Sequence, residues 1–279
     1  MESGASVVMS KVSHDILGAM NPADDIAQKP PLTGVVVVKN EGDRIGRCVA
    51  SLMPVCREVI VLDSGSTDDT VAVARGLGAR VEHRDWDGFA RQKNAAITMA
   101  SQPWVILLDA DEWLTPSAQE ALRALFAGDI EQSDVWLLLR RTHWLGTPMR
   151  HGSFSREAIE RLFRSDLRHA DIPVHEYLDT QGRTVKRSDI ELEHDTARNT
   201  LEYRDKLAKY AALWAKERAA RGKTAWPGRG LLAASAYALK NLILQGGVLD
   251  GKAGIAFHRE HMRYVALKYR LLRELGLGR

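Results

Sequence analysis

The stretch Trp104-Val-Ile-Leu-Leu-Asp-Ala-Asp-Glu-Trp113 decides the fold. Five apolar residues, Trp104 to Leu108, give way at once to Asp109, Ala110, Asp111 and Glu112. An unbroken apolar run of that length reads as a strand buried on both faces, as in a parallel sheet. The acidic cluster then falls at the strand's carboxyl end, the edge where open α/β sheets take their ligands. Asp109 and Asp111 are two residues apart, so in extended chain they point roughly the same way. Two hard oxygen donors there suit Mg²⁺ or Mn²⁺, with substrate phosphates completing the shell. The plain alternative is that these acids only cap the next helix.

Working outward, the same pattern repeats. Gly34 to Val38 and Val59 to Leu62 are apolar runs that end in Lys39-Asn40-Glu41 and in Asp63. Arg80 to His83 reads as a short strand and Val135 to Leu139 as a fifth. Between them lie helical spacings over Arg44 to Met53, after SGSTDDT, over Gly88 to Ala100, and from Thr115-Pro116 to about Phe126. Thr115 then Pro116 is a cap followed by proline at the first helical position. Ser66 or Thr67 is placed to cap the helix that carries Asp68 and Asp69 in its first turn. Alternating strands and helices predict a mostly parallel sheet flanked by helices.

After residue 140 the alternation fails. Arg140 to Arg150 reads as a hairpin, and Ile159 to Phe163 and Ile190 to Glu193 as short strands. From Asn199 the period turns helical, and Asn199 with Glu202 forms a capping box. Helices are predicted from there to Gly222, from Gly230 to about Leu244, and from His258 to Leu275. The expected organisation is an N-terminal extension over 1–31, a catalytic α/β unit over 32–198 and a basic helical appendage over 199–279.

Composition narrows the class. Of 279 residues, 45% are hydrophobic and 27% charged, ordinary for a globular protein. Cys48 and Cys56 have no metal-type spacing and fit a reducing compartment, the cytoplasm. The first residues lack the apolar core of a signal peptide, and no apolar run is long enough to span a bilayer. The net charge of +3 hides an asymmetry: from residue 200 onward sixteen Lys and Arg stand against six Asp and Glu. A basic tail on an acidic body points to an anionic surface as partner or to helices with solvated basic faces. There is no Walker A pattern and no GxGxxG, which counts against P-loop and dinucleotide enzymes.

The three strand ends, Lys39-Asn40-Glu41, Asp63 and Asp109 with Asp111, lie on one edge of such a sheet. Lys93, on the intervening helix, is placed to neutralise a phosphate. Together they describe a nucleotide-diphosphate site. In order, VVVVKNEGDRIGRCVASL, VIVLDSGSTDDT, GFARQKNAA and WVILLDADEW resemble the successive motifs of glycosyltransferase family 2, which has the GT-A fold. The QKN triplet, DADE, RLFRS, VHEYL and LQGGVLDGKAG resemble a subgroup typified by lipopolysaccharide core β-1,4-glucosyltransferases.

That resemblance implies an inverting, metal-dependent transfer of a sugar, glucose from UDP-glucose in the subgroup, onto a lipopolysaccharide core or other lipid-linked saccharide. It implies that Asn40, Glu41 and Asp63 border the nucleoside, that Lys93 and Asp109 border the diphosphate, and that Asp111 and His194 hold the metal. Glu176, in VHEYL, matches the catalytic base, although many relatives carry Asp there. The expected partners are a UDP-sugar, the saccharide acceptor and an anionic membrane surface, with the protein peripheral on the inner face of the cytoplasmic membrane. Nucleic acid is not expected, because the acidic cluster would repel it. The competing readings are a sugar-phosphate nucleotidyltransferase, which lacks its glycine-rich basic loop here, and a non-catalytic binding module.

Overall fold

Val35 and Val36 are both fully buried, yet they face opposite sides of the first strand. They mark a sheet covered on both faces. The computed structural model describes residues 28–171 and 177–277. The extension expected over 1–31 therefore lies outside the described residues, apart from its last four. Strand β1 is Leu32–Val38, β2 Glu58–Asp63, β3 Arg80–His83 and β4 Trp104–Asp109. Helices α1 (Ile45–Leu52), α2 (Thr70–Gly76) and α3 (Phe89–Thr98) connect them. The four strands run parallel in the order β3-β2-β1-β4. Their ends are level: Val38 pairs with Asp63, and Val37 with Asp109.

Val36, Leu108 and Leu162 pack under α1 and under α4 (Pro116–Ala127), with Ile45, Val49, Leu52 and Leu122 from those helices. Val35, Leu62, Val105 and Leu107 pack on the other face with Ala96 and Ile97 of α3. Each such fully buried aliphatic side chain contributes about 1.5–3 kcal/mol of transfer free energy. Thr115 accepts from the Ala118 N–H, and Pro116 opens α4 as its sequence predicts. Gly88, at φ 126°, turns the chain into α3, a conformation that favours glycine.

Beyond β4 the sheet is mixed. A three-residue strand, β5 (Glu112–Leu114), begins at the last residue of the acidic cluster. β6 (Val135–Trp144), β7 (Thr147–Pro148), β8 (Glu157–Arg164) and β9 (Val185–Asp195) complete nine strands in the order β3-β2-β1-β4-β8-β6-β9-β5, with β7 on β6. β8 inserts antiparallel between β4 and β6, whereas β6 and β9 are parallel and β5 pairs antiparallel with β9. The parallel arrangement thus holds for the first four strands. The hairpin expected after residue 140 is present as β6–β7.

Three long helices follow: α5 (Thr200–Ala220), α6 (Arg229–Ala238) and α7 (Gly251–Leu277), with a π-helical turn at Leu239–Leu244 and a 3₁₀ turn at Gly247–Asp250. Asn199 accepts from the Glu202 N–H, as the capping box predicts. α7 begins seven residues earlier than its periodicity suggests. Its buried face runs through Phe257, His258 and His261; Met262, Val265, Tyr269 and Leu272 share one face by helical period, yet only Leu272 of them is buried. The difference arises because histidines and Glu260 fill this interface, and an apolar period does not register them. Glu260, 2% exposed, takes a two-pronged pair from Arg204 at 2.6 and 2.9 Å. Tyr203, Leu207 and Phe257 pack on Trp144 and Met149, which joins the helices to the β6–β7 hairpin. Gly247 and Gly254 of LQGGVLDGKAG explain themselves here: a Cβ on Gly254 would stand 2.3 Å from the Gly247 carbonyl oxygen.

Candidate active site

The level ends of β1 and β4 open onto a cavity of about 770 Å³. From the sheet edge it is lined by Lys39, Glu41, Asp109, Asp111 and His194, and from α3 by Phe89 and Lys93. Tyr203, Lys206, Leu207 and Tyr210 of α5, with His261 of α7, form the opposite wall. Of the residues expected at the site, Glu41, Lys93, Asp109, Asp111 and His194 are brought together. Glu176 and its neighbour His175 lie outside the described residues.

Asn40 and Asp63 brace the loops at the ends of their strands. Asn40 is left-handed at φ 56°. Its Oδ1 accepts from the Thr67 N–H at 2.8 Å, and its own N–H donates to Ser66 Oγ at 2.9 Å. Asp63, 5% exposed, accepts from the N–H groups of Gly65 and Ser66 at 3.0 and 3.1 Å. Burial opposes its ionisation, but the hydrogen bonds from Ser66 and Gly65 win and hold its carboxyl below the ordinary carboxylate value. Both residues therefore shape the loops after β1 and β2 and are not among the residues lining the cavity. Ser66 and Thr67 are spent on the same brace, so α2 starts later, at Thr70, with no side-chain cap.

The acidic cluster splits its tasks. Asp109 is ion-paired with Arg161, whose guanidinium also reaches Glu112 Oε1 at 2.7 Å. Glu112, 1% exposed, accepts from the Asp109 N–H at 3.0 Å and lies 3.4 Å from Arg140. Burial works against charge on Asp109, yet Arg161, Lys93, His194 and Arg140 hold its carboxyl far below the usual range. Arg161 is thus an internal strut. Arg164 is likewise occupied, stacked 4.3 Å over Trp104 and paired with Glu131.

Asp111 faces a different partner. Its Oδ2 lies 3.4 Å from His194 Nε2 and 3.7 Å from Arg44. Burial again opposes ionisation, and the His194 contact outweighs it, with Lys206 adding a smaller pull in the same direction. Pairing of Glu112 with His194 across β5 and β9 makes this approach unavoidable. The Asp195 N–H also donates to the Asp111 carbonyl at 2.9 Å. A carboxylate oxygen and an imidazole nitrogen at 3.4 Å have the spacing of two neighbouring ligands on one small cation at roughly 2.1 Å from each. His194 Nδ1 is buried without a hydrogen-bond partner. No group of three His, Cys, Asp or Glu that could hold a metal is found among the described residues. Asp111 and His194 would thus supply two ligands at most, and a cation there would need the rest from a phosphate-bearing substrate.

The QKN triplet is also explained. Gln92, fully buried, donates to Ser64 Oγ and to the Arg84 carbonyl, each at 2.9 Å. Asn94 clamps the backbone of His169, donating to its carbonyl at 2.9 Å and accepting from its N–H at 2.7 Å. Lys93 between them faces the cavity. Trp86 and Phe89, both partly exposed, meet edge to face at 4.7 Å on the rim. Glu41 is paired with Arg198, which also holds Asp43 at 2.8 Å and Glu202 at 3.0 Å. Burial pushes the Glu41 carboxyl above its ordinary value in spite of the Arg198 and Arg44 guanidinium groups.

With this geometry in view, the comparisons are specific. The family model described as Glycosyl transferase family 2 matches residues 33–188, more than half of the chain. The chain belongs to glycosyl transferase family 2. An uncharacterised glycosyltransferase of Rickettsia conorii is 41% identical over 96 residues, 34% of each chain. The lipopolysaccharide core biosynthesis glycosyltransferase LpsC of Rhizobium meliloti is 36% identical over 123 residues, 42% of this chain and 45% of that one. This chain thus spans less than half the length of each of these two relatives. Glucosyl-3-phosphoglycerate synthase from Mycobacterium tuberculosis, solved with Mn²⁺, UDP and phosphoglyceric acid, is 25% identical over 43% of this chain and 47% of its own, with a TM-score of 0.34. The family model ends before α5, so Lys206, Tyr210 and His261 stand outside it.

Sequence reasoning missed this second wall. Leu207, Tyr210, Ala211 and Trp214 share one helical face by their spacing, and that period carries no sign that the face borders a cavity. Lys206 on the same turn was the available signal.

Proposed function

We propose that this protein is an inverting, metal-dependent glycosyltransferase that moves a sugar from a UDP-sugar, UDP-glucose first among them, onto a hydroxyl of a lipopolysaccharide core or other lipid-linked saccharide. The single observation that carries this reading is one cavity shared by Asp111 with His194 and by Lys93 with Lys206. Carboxylate and imidazole on one side suit a divalent cation; the lysines suit a diphosphate. The relative LpsC, a lipopolysaccharide core biosynthesis glycosyltransferase, supports the acceptor class.

Residues 32–198 form the catalytic unit of this reading, and residues 199–279 supply the far wall. Asp111 and His194 would hold Mg²⁺ or Mn²⁺, which would supply positive charge beside the departing diphosphate. Lys93 and Lys206 bind the same diphosphate, and Asp109, kept ionised by Arg161, sets the local field. Glu41 borders the nucleoside, behind which Asn40 and Asp63 fix the loops. Glu176 takes the proton from the acceptor hydroxyl as that oxygen attacks the anomeric carbon and the carbon–oxygen bond to the diphosphate breaks. One base suffices for a single displacement. No described helix is long and apolar enough to cross a membrane. A lipid-borne acceptor would be met from the surface of an anionic membrane, with the protein peripheral on its inner face.

The test is release of UDP from a panel of UDP-sugars, with and without Mn²⁺ or Mg²⁺ and with and without an acceptor saccharide. Release that needs donor, metal and acceptor together supports the reading. Binding without release would leave a binding module.

A further inference from the structure

Six large aliphatic side chains lie open on the surface within nineteen consecutive residues. Leu231, Leu232, Leu239, Ile243, Leu244 and Leu249 are each between 54% and 74% exposed. Scattered surface leucines are ordinary, but so many exposed within one short segment mark a contact surface. Leu232, Leu239 and Ile243 fall at i, i+7 and i+11, one stripe of a helix. Ala234 and Asn241, buried on α6 and the π turn, lie on the opposite side of that helix. The stripe is thus the outer face of a segment whose inner face is already occupied. Trp226, 56% exposed, stands just ahead of α6, and an indole suits a boundary with one wet and one apolar side.

We infer that this ridge, α6 with the π turn and the 3₁₀ turn after it, is the surface by which the protein docks on an anionic lipid bilayer. Charge selects the partner. Between Arg218 and Arg259 the only acidic residue is Asp250. Its side chain is turned inward, accepting from the N–H groups of Arg150 and His151 at 3.1 and 3.0 Å and pairing with His151 Nδ1 at 2.7 Å. The exposed charges on the segment, Lys240 and Lys252, are cations, and Arg229 and Arg259 flank them. Apolar residues bracketed by cations match a headgroup region with negative charge above acyl chains. A second copy is the poorer occupant. In a two-fold pairing the same patch meets itself, so the lysines would oppose lysines.

The ridge connects to the site through α7. Ile255, also exposed, lies six residues before His261 of the cavity wall, about 9 Å along the helix. The inference gives the proposed lipid-borne acceptor its route, and rests on that reading for its purpose, but it is tested without any sugar transfer.

The experiment is vesicle co-sedimentation of the full chain. Vesicles of phosphatidylglycerol with phosphatidylcholine are compared with phosphatidylcholine alone, at low and high salt. The ridge predicts binding to the anionic vesicles that weakens with salt. The variant Ile243→Glu with Leu244→Glu should lower the bound fraction about tenfold or more, with an unchanged melting temperature because both side chains are exposed. Lys240→Gln with Lys252→Gln should lose the preference for anionic lipid. No binding at low salt, equal binding to both vesicles, or unchanged binding of the Ile243→Glu, Leu244→Glu variant overturns the inference. A concentration-dependent dimer that this variant abolishes, without vesicle binding, overturns it in favour of self-association. UDP-release assays in parallel separate its failure from failure of the enzymatic reading.

Discussion

His194 Nε2 lies 3.4 Å from Asp111 Oδ2, although the two residues are far apart in sequence, Asp111 in the turn between β4 and β5 and His194 on β9. Antiparallel pairing of β5 with β9 creates that approach. It makes Asp111 the carboxylate of the acidic cluster that is placed for a cation, because Asp109 is already held by Arg161.

Asp111→Ala should therefore abolish metal-dependent UDP release while the protein stays folded. Loss of even an outer-shell partner costs roughly 10- to 100-fold in metal affinity or activity, so removal of a direct ligand should cost at least that. The check is UDP release across a Mn²⁺ titration, with far-ultraviolet circular dichroism as the control for folding. Wild-type turnover by the variant would remove Asp111 from the site.

Arg161→Leu should be costly for the fold itself. The guanidinium, 7% exposed, bridges Asp109 and the fully buried Glu112, and removing it leaves a buried carboxylate with Arg140 only at 3.4 Å. Removing one partner of a buried pair costs about 3–5 kcal/mol. Urea unfolding measures it. A loss under about 1 kcal/mol, the usual worth of a surface pair, would show that the strut is dispensable.

Lys206→Ala should weaken handling of the donor diphosphate although the residue lies outside the part matched by the family model. A hydrogen bond to a charged group is worth about 1.5–3 kcal/mol, so kcat/KM for the UDP-sugar should fall roughly tenfold or more. The salt dependence of donor binding should flatten in the variant. An unchanged kcat/KM would mean that α5 merely walls the cavity.

The pH dependence of stability has a defined direction. Burial, aided by Lys93 and Arg161, depresses His169 from 6.5 to about 3. Burial, aided by His258 and Lys268, does the same to His261. Both stay neutral in the folded protein while the unfolded chain protonates near 6.5, so their stabilising effect is complete above that pH and is lost as pH falls from 6.5 toward 3. Asp109 and Asp111, held below their ordinary 3.8, add a further loss only below about that value. Urea midpoints between pH 7 and 4.5 should fall, and His261→Gln should flatten the fall. A flat wild-type profile over that window would contradict the account.

Much of this was legible in the sequence. Runs of valine, isoleucine and leucine marked β1, β2 and β4, and Thr115-Pro116 and Asn199 marked helix starts, because those signals are local. β5 escaped notice: three residues, one of them a buried glutamate, carry no period. Without β5 the meeting of His194 and Asp111 cannot be derived from spacing. That Asp63 and Asn40 tie two loops together was not legible, because a sequence shows that they end strands but not which backbone N–H groups their side chains meet. That Arg161 and Arg164 are already paired was not legible, because a sequence does not reveal an arginine's partners. The C-terminal helices announced their periodicity but not which faces border the cavity, pack on one another or stay open to solvent.

The central claim is transfer from a UDP-sugar with Glu176 as base and a divalent cation at Asp111 and His194. The most direct measurement is UDP release from UDP-glucose by wild type and by Glu176→Gln, with Mn²⁺, a lipopolysaccharide core acceptor, and chelator as control. The account predicts release that chelator stops and that the variant lowers by about 10² to 10⁴ while still binding donor. Release that continues in chelator, or that the variant sustains within a few-fold of wild type, would contradict it.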